Sequence, residues 1–168
     1  MRLIEFMKKI IIVRHAKSSW GYNVIDHERP LSGRGKNDAE QVSRYLISYN
    51  LSPELILSSD AVRAKTTAEI FMENLKFNGK IIQLNHDLYD FAGHNLLRII
   101  KDCNDSIHTL MVFGHNYAIT AFVNTYGNKP IDNVPTSGVV VIEFDMATWK
   151  NLKPGNTTLT VFPRDLGH

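Results

Sequence analysis

Three short stretches of the chain, residues 9–13, 55–57 and 110–113, are apolar almost without interruption. Runs of this length and character predict strands buried on both faces, as in a parallel sheet. Residues 81–84 form a weaker fourth run and residues 139–144 a fifth. A sixth, 159–162, pairs with the fifth through Trp149 and the turn Pro154-Gly155-Asn156. Between the runs the apolar period lengthens to three and four. Over residues 32–49 it aligns Ala39, Val42, Tyr45, Leu46 and Tyr49, and over 61–75 it aligns Ala64, Ala68, Ile70, Phe71 and Leu75. These predict helices, with Ser32 and Asp60 as their N-caps, and residues 94–101 and 116–126 predict two more. Residues 128–137, flanked or broken by Gly127, Pro130 and Pro135, read as a loop. Strands alternating with helices predict an α/β fold, a mostly parallel central sheet with helices on both faces. The chain shows no repeat, linker or low-complexity tract, so a single domain over residues 1–168 is expected. Residues 1–7 would be a disordered or extra N-terminal extension, with Met7 an alternative start.

Composition narrows the function classes. The 19 Lys and Arg against 17 Asp and Glu leave a charge of +2, too balanced for a surface that wraps nucleic acid. No apolar stretch approaches the roughly 20 residues that span a bilayer, and the first run is too short for a signal-peptide core. Cys103 is the sole cysteine, which excludes an internal disulfide and fits a reducing, cytoplasmic setting. The seven histidines show no ligand spacing such as His-Glu-x-x-His, so neither metal nor cofactor is expected.

Chemistry-bearing residues gather where the predicted strands end, which is where open α/β sheets bind ligands. The first strand runs into Arg14-His15. The second runs into Ser58-Ser59-Asp60, with Arg63 on the next helical turn. The weak run precedes Leu88-Tyr89-Asp90, and the strand at 110–113 meets Gly114-His115-Asn116. Any one of these reads as a solvated strand end or a surface helix residue. Together they place two histidines, two arginines and a carboxylate at one rim. A neutral imidazole is a competent nucleophile near pH 7. Guanidinium groups and helix N-termini neutralise the equatorial oxygens of a phosphoryl group in transfer. Such a set transfers phosphate without a metal.

These stretches resemble the histidine phosphatase (phosphoglycerate mutase-like) superfamily, and within it the SixA-type phosphohistidine phosphatases. The resemblance is carried by Ile12-Val13-Arg14-His15-Ala16-Lys17-Ser18-Ser19-Trp20, by Arg29-Pro30-Leu31-Ser32-Gly33-Arg34-Gly35, and by Leu57-Ser58-Ser59 running to Arg63 and Thr67-Ala68. It continues through Phe113-Gly114-His115-Asn116 and Pro135-Thr136-Ser137 to Pro163-Arg164-Asp165-Leu166. It implies His15 as the nucleophile, with Arg14, Arg63 and His115 on the phosphoryl group. Arg29 would reach the phosphate or brace its loop, and Ser18 would donate to a phosphate oxygen or cap its loop. Asp90 would be the general acid or an exposed loop carboxylate, and His94 a helix cap. Two departures stand out. Gly21 replaces the Asn usual in mutase-like members, and Tyr117 follows Asn116 where SixA-type chains commonly have Pro. Residues 84–94 are too few for the cap domain of larger relatives, which implies an open site.

The implied reaction is ping-pong. His15 attacks phosphorus while its other ring nitrogen is held by a backbone carbonyl, and the phosphohistidine intermediate is then hydrolysed. The expected partner is a phosphorylated substrate, above all a phosphohistidine-bearing protein, with no nucleic acid and no membrane. A phosphatase or mutase for small phosphorylated metabolites is the alternative among enzymes. A phosphate-dependent binding module is the alternative outside them. His27, His86, His108 and His168 are expected at the surface.

Overall fold

The computed structural model describes residues 7–167. The expectations for residues 1–6 and for His168 lie outside the described residues. Met7 is no part of an extension: it opens the first strand and pairs with Asp145.

Ten main elements follow one another: β1 (Met7–Arg14), α1 (Gly33–Tyr45), β2 (Leu55–Ser58), α2 (Val62–Leu75), β3 (Ile82–Leu84), α3 (His94–Lys101), β4 (Thr109–Gly114), α4 (Ala118–Tyr126), β5 (Val139–Asp145) and β6 (Asn156–Val161). The strands form one six-stranded sheet in the order β3-β2-β4-β1-β5-β6. The first four of that order run parallel, and β5 and β6 add antiparallel strands on the far side of β1.

The two-residue period of the strands divides the core. Ile10, Ile12, Leu110, Val112, Val140 and Ile142 pack with α3, α4 and the buried Trp149. Ile11, Val13, Met111, Phe113, Val139 and Val141 pack on the opposite face, against Ala39, Val42 and Leu46 of the α1 segment and Ala68 and Phe71 of α2. Because β1 and β4 are central and covered on both sides, both residue parities are apolar. That is the origin of their uninterrupted runs.

Helix ends depart from the sequence pattern in instructive ways. Ser32 caps α1 as expected, its Oγ accepting from the Gly35 N–H at 3.0 Å. The helix stops at Tyr45 and a 3₁₀ turn carries the chain to Tyr49; Tyr45 and Tyr49 face solvent with their hydroxyls 3.2 Å apart. Asp60 does not cap α2. Ser59 Oγ takes the Ala61 N–H at 3.1 Å, Ala61 occupies the cap position, and the Asp60 carboxylate is engaged by two histidines. His94 does not cap α3 either; the cap is Gly93, at φ +110°, and His94 is the first helical residue. The predicted helix at 116–126 begins at Ala118, after a cis Asn116–Tyr117 peptide.

Gly35 fixes where α1 meets the loop that follows β1. A Cβ at this position would lie 2.0 Å from the Lys17 carbonyl oxygen. No side-chain rotation relieves a clash with backbone. Gly35→Ala should therefore cost about 1–3 kcal/mol, read as a drop of roughly 2–10 °C in thermal midpoint for a chain of this size. An unchanged midpoint would contradict this packing.

Candidate active site

The carboxyl ends of β1, β2 and β4 lie side by side. Backbone hydrogen bonds continue past them: His15 N–H donates to Gly114 O at 3.1 Å and Ser59 N–H to Phe113 O at 3.0 Å. The Ser137 N–H is shared between the carbonyls of Arg14 and His15, at 3.1 and 3.2 Å. This stitching brings His15 and His115 together, their ring centroids 5.2 Å apart.

His15 is 8% exposed, and its Nδ1 lies 2.7 Å from its own neighbour's carbonyl, Ala16 O. A carbonyl only accepts, so Nδ1 carries the proton and Nε2 presents a lone pair. Facing that lone pair is Arg63 Nε, at 3.4 Å. Burial, with Arg63, Arg14 and Arg29 adding repulsion, pushes the His15 pKa down to about 3 despite the opposing bond to Ala16. His115 is buried more deeply, and burial, then His15 and Arg63, push it to about 2. Both rings are neutral at pH 7. His115 Nε2 is 2.8 Å from Ser59 Oγ, whereas its Nδ1 is buried without a partner, as are Arg14 Nε and Ser137 Oγ. Arg14 Nη1 donates to Val134 O at 2.9 Å, which leaves Nε as a donor awaiting an acceptor.

His15 opens onto a cleft of about 370 Å³ lined by Arg14, Lys17, Ser18, Arg29 and Arg63, with Trp20 and Phe91 among its walls. The sequence pattern missed a further lining residue, Asp26. Its carboxylate meets Arg63 Nη2 at 2.9 Å and Arg29 Nη1 at 2.9 Å, and it also accepts from the Tyr89 hydroxyl. Arg63 Nη1 donates to the Asp26 carbonyl at 2.7 Å. Burial alone would raise the Asp26 carboxyl, but hydrogen bonds from Tyr89, Arg63 and Arg29 hold it well below the usual carboxylate range. A lone Asp in a loop three residues before an Arg carries no signal distinguishing it from a turn residue.

The less certain sequence candidates separate clearly. Arg29 is a brace: besides Asp26 it donates to Ser19 O and to Ser18 Oγ, and its guanidinium stacks 3.2 Å from the Trp20 ring centroid. Ser18 accepts from Arg29, which leaves its hydroxyl proton free to donate toward the cleft. Asp90 is not an exposed loop carboxylate. It accepts from the N–H groups of Ala92, Gly93, Asn95 and Leu96 at 3.0–3.2 Å, capping α3. Against the upward push of burial, those bonds hold its carboxyl below the ordinary value. His108 is half-buried near Glu54. His86 lies at the surface as expected and His27 is half-buried; both engage Asp60.

The lowered histidine pKa values have a definite sign. A group that protonates more readily unfolded than folded makes stability rise with pH between its two pKa values. Acidification from about pH 6.5 toward 3 should therefore destabilise the fold through His15 and His115. In an NMR titration, the ring C2–H signals of both should stay fixed between about pH 5 and 8. A midpoint near 6.5 for either ring would refute the buried neutral pair.

The chain's similarities agree with this geometry. A candidate SixA phosphohistidine phosphatase of Agrobacterium tumefaciens superposes with a TM-score of 0.69 at 25% identity, over 80% of this chain and 90% of that one. A protein histidine phosphatase SixA solved with tungstate gives 0.76 at 18% identity over 94% and 99%, and phosphoglycerate mutase from Bacillus anthracis gives 0.65 at 14% over 96% and 96%. These last two share the fold. In sequence, the chain is 38% identical over 118 residues to an uncharacterized chloroplast protein of Arabidopsis thaliana, a match covering 65% of this chain but only 54% of that protein. An uncharacterized Mycobacterium tuberculosis protein is 26% identical over 89% of this chain and 98% of its own length. Among the described residues no helix is long and apolar enough to cross a membrane. Residues 10–94, which contain Arg14, His15, Arg29 and Arg63, match the model of the histidine phosphatase superfamily (branch 1), and the chain belongs to that family.

Proposed function

We propose that the chain is a phosphatase that takes a phosphoryl group onto His15 Nε2 and yields it to water, with protein phosphohistidine as its preferred substrate class. The observation that carries this reading is the His15 ring itself: neutral, with Nδ1 held by Ala16 O and the Nε2 lone pair turned toward Arg63. In the proposed reaction that lone pair forms the N–P bond as the bond from phosphorus to the leaving nitrogen breaks. Arg14, Arg63 and His115 bind the equatorial oxygens, and Arg14 Nε and His115 Nδ1 are the unpartnered atoms such oxygens would meet. Water then attacks phosphorus and His15 leaves neutral.

Two features support a phosphohistidine over a sugar phosphate. The connection from β3 to α3 holds no more than a short 3₁₀ turn, so the cleft is open enough for a protein side chain. Trp20, Tyr22, Ile25, Phe91 and Tyr117 are large apolar residues left exposed, and two of them, Trp20 and Phe91, line the cleft. Aromatic rims of this kind suit a protein surface. The proton economy points the same way. Asp90 is committed to capping α3 and is a poor proton donor, which suits an imidazole leaving group. The intact nucleophile, furthermore, favours turnover over a phosphate-dependent binding module.

His15→Ala should abolish p-nitrophenyl phosphate and phosphohistidine hydrolysis while phosphate still binds, and Arg63→Ala should lower kcat/KM at least about 100-fold. Wild-type enzyme quenched during turnover should carry an acid-labile, alkali-stable phosphate. Its recovery on a residue other than His15 would overturn the mechanism. A second expectation separates the substrate classes. Asp90→Asn should leave phosphohistidine cleavage nearly unchanged, and alkyl phosphates, which need a proton donor contributing about 10²–10⁴-fold, should be poor substrates of both proteins. Efficient sugar-phosphate hydrolysis that collapses in Asp90→Asn would instead establish a metabolite phosphatase with Asp90 as acid.

A further inference from the structure

Beside the cleft, and outside the groups assigned to phosphoryl transfer, two imidazoles converge on one carboxylate. His27 Nε2 lies 2.7 Å from Asp60 Oδ1, and His86 Nδ1 lies 3.0 Å from both Asp60 oxygens. The three potential ligand atoms all fall within 4.8 Å of one another. They arrive from separate segments: the turn Asp26–Glu28, the position two residues before α2, and the turn His86–Leu88. Their separations in sequence, 33 and 26 residues, are why no ligand spacing is visible in the chain.

Three properties distinguish this group from an ordinary surface ion pair. Both histidines turn a ring nitrogen to the same carboxylate, and a ring nitrogen is the atom by which imidazole binds a metal. The accessibility is graded, with side-chain exposures of 27% for His27, 31% for Asp60 and 69% for His86. An ion can enter from solvent and keep water in its remaining positions. Tyr89, finally, seats the rings from one side, with centroids 5.0 Å from His27 and 5.9 Å from His86. Tetrahedral bonds of about 2.0–2.2 Å place ligand atoms roughly 3.4 Å apart. Small rotations of these side chains reach that spacing from the observed one.

We propose that His27, Asp60 and His86 form a binding site for a divalent transition ion of the zinc class at the rim of the cleft. Two imidazole nitrogens and one carboxylate oxygen select such ions over magnesium or calcium, which favour oxygen donors. Each imidazole would coordinate through the nitrogen now facing Asp60, its proton moving to the other ring nitrogen. The ion would tie together three segments that also hold Asp26, Tyr89 and the start of α2. It takes no part in the transfer of phosphate.

The test uses the full-length protein stripped with EDTA and titrated with Zn²⁺ by calorimetry, then with Co²⁺ by visible absorption. Wild type should bind with a component that weakens at least about tenfold in His27→Ala and in His86→Ala, and Zn²⁺ should raise the thermal midpoint of wild type but not of His86→Ala. His86 is exposed, so the stripped His86→Ala protein should keep wild-type p-nitrophenyl phosphate hydrolysis, which reports its folding. No saturation by about 1 mM Zn²⁺ would overturn the proposal. So would binding unchanged in His86→Ala, or binding lost in His15→Ala yet retained in His86→Ala.

Discussion

The hydrogen bond from His15 Nδ1 to Ala16 O organises much of what surrounds it. A buried imidazole with both nitrogens free could rotate, change tautomer or take a proton. This one can do none of these cheaply, because its proton is spent on the backbone and an imidazolium would face Arg14, Arg29 and Arg63. The residue that holds it is itself held. Ala16 N–H donates to Thr67 Oγ1 at 2.9 Å, and Thr67 Oγ1 donates to Arg63 O at 2.7 Å. The residue that fixes the His15 ring is thus tied, one turn along α2, to the backbone of the arginine that faces it. The proposed nucleophile and the arginine beside it are located by one short chain of bonds, not by two independent loops.

Asp26 sets the electrostatic ground state of the cleft. Arg63 has only 4% of its side chain exposed, and a guanidinium so buried needs a partner. The carboxylate supplies one, together with its own backbone carbonyl. A phosphate in the proposed reaction would need the same Arg63 donors. Two like charges about 4 Å apart repel by roughly 4 kcal/mol at an effective dielectric near 20. In the proposed reaction an entering phosphate would compete with the Asp26 carboxylate for Arg63. The Asp26 side chain is 44% exposed, and water would receive it if displaced.

How much of this was legible in the chain depends on whether a feature is local. The strands at 9–13 and 110–113 were visible because burial on both faces leaves no polar position beyond Lys9. Arg14, His15, Arg63 and His115 were visible because each sits within a few residues of a strand end. The Asp60 cap was misjudged because the helix begins one residue later, behind Ala61, and the Asp60 carboxylate is taken by His27 and His86. Tyr45 and Tyr49 were aligned with the apolar positions of one continuous helix, but the helix gives way to a 3₁₀ turn at Leu46, where Leu46 is buried and both tyrosines are exposed. Asp26 and the His27, Asp60, His86 group were not legible at all. Their meaning lies in contacts across tens of residues, which no period or spacing encodes.

Four histidines thus occupy two neighbouring sites with opposite preferences, and the difference lies in what surrounds them. His15 and His115 are buried beside arginines, a field that attracts a phosphate and repels a divalent cation. His27 and His86 flank a carboxylate and reach solvent, a setting that favours a cation and offers a phosphate no donor of fixed charge. Asp26 and His27 are consecutive, so a single turn of chain presents a carboxylate to the arginines on one side and an imidazole to Asp60 on the other. An ion held at the second site would add positive charge on the far side of Asp26 without touching His15. It would also restrain the backbone that carries the Asp26 side chain. Asp26 and His27 share one turn of chain, so an ion held at the second site would bear on the first through that turn.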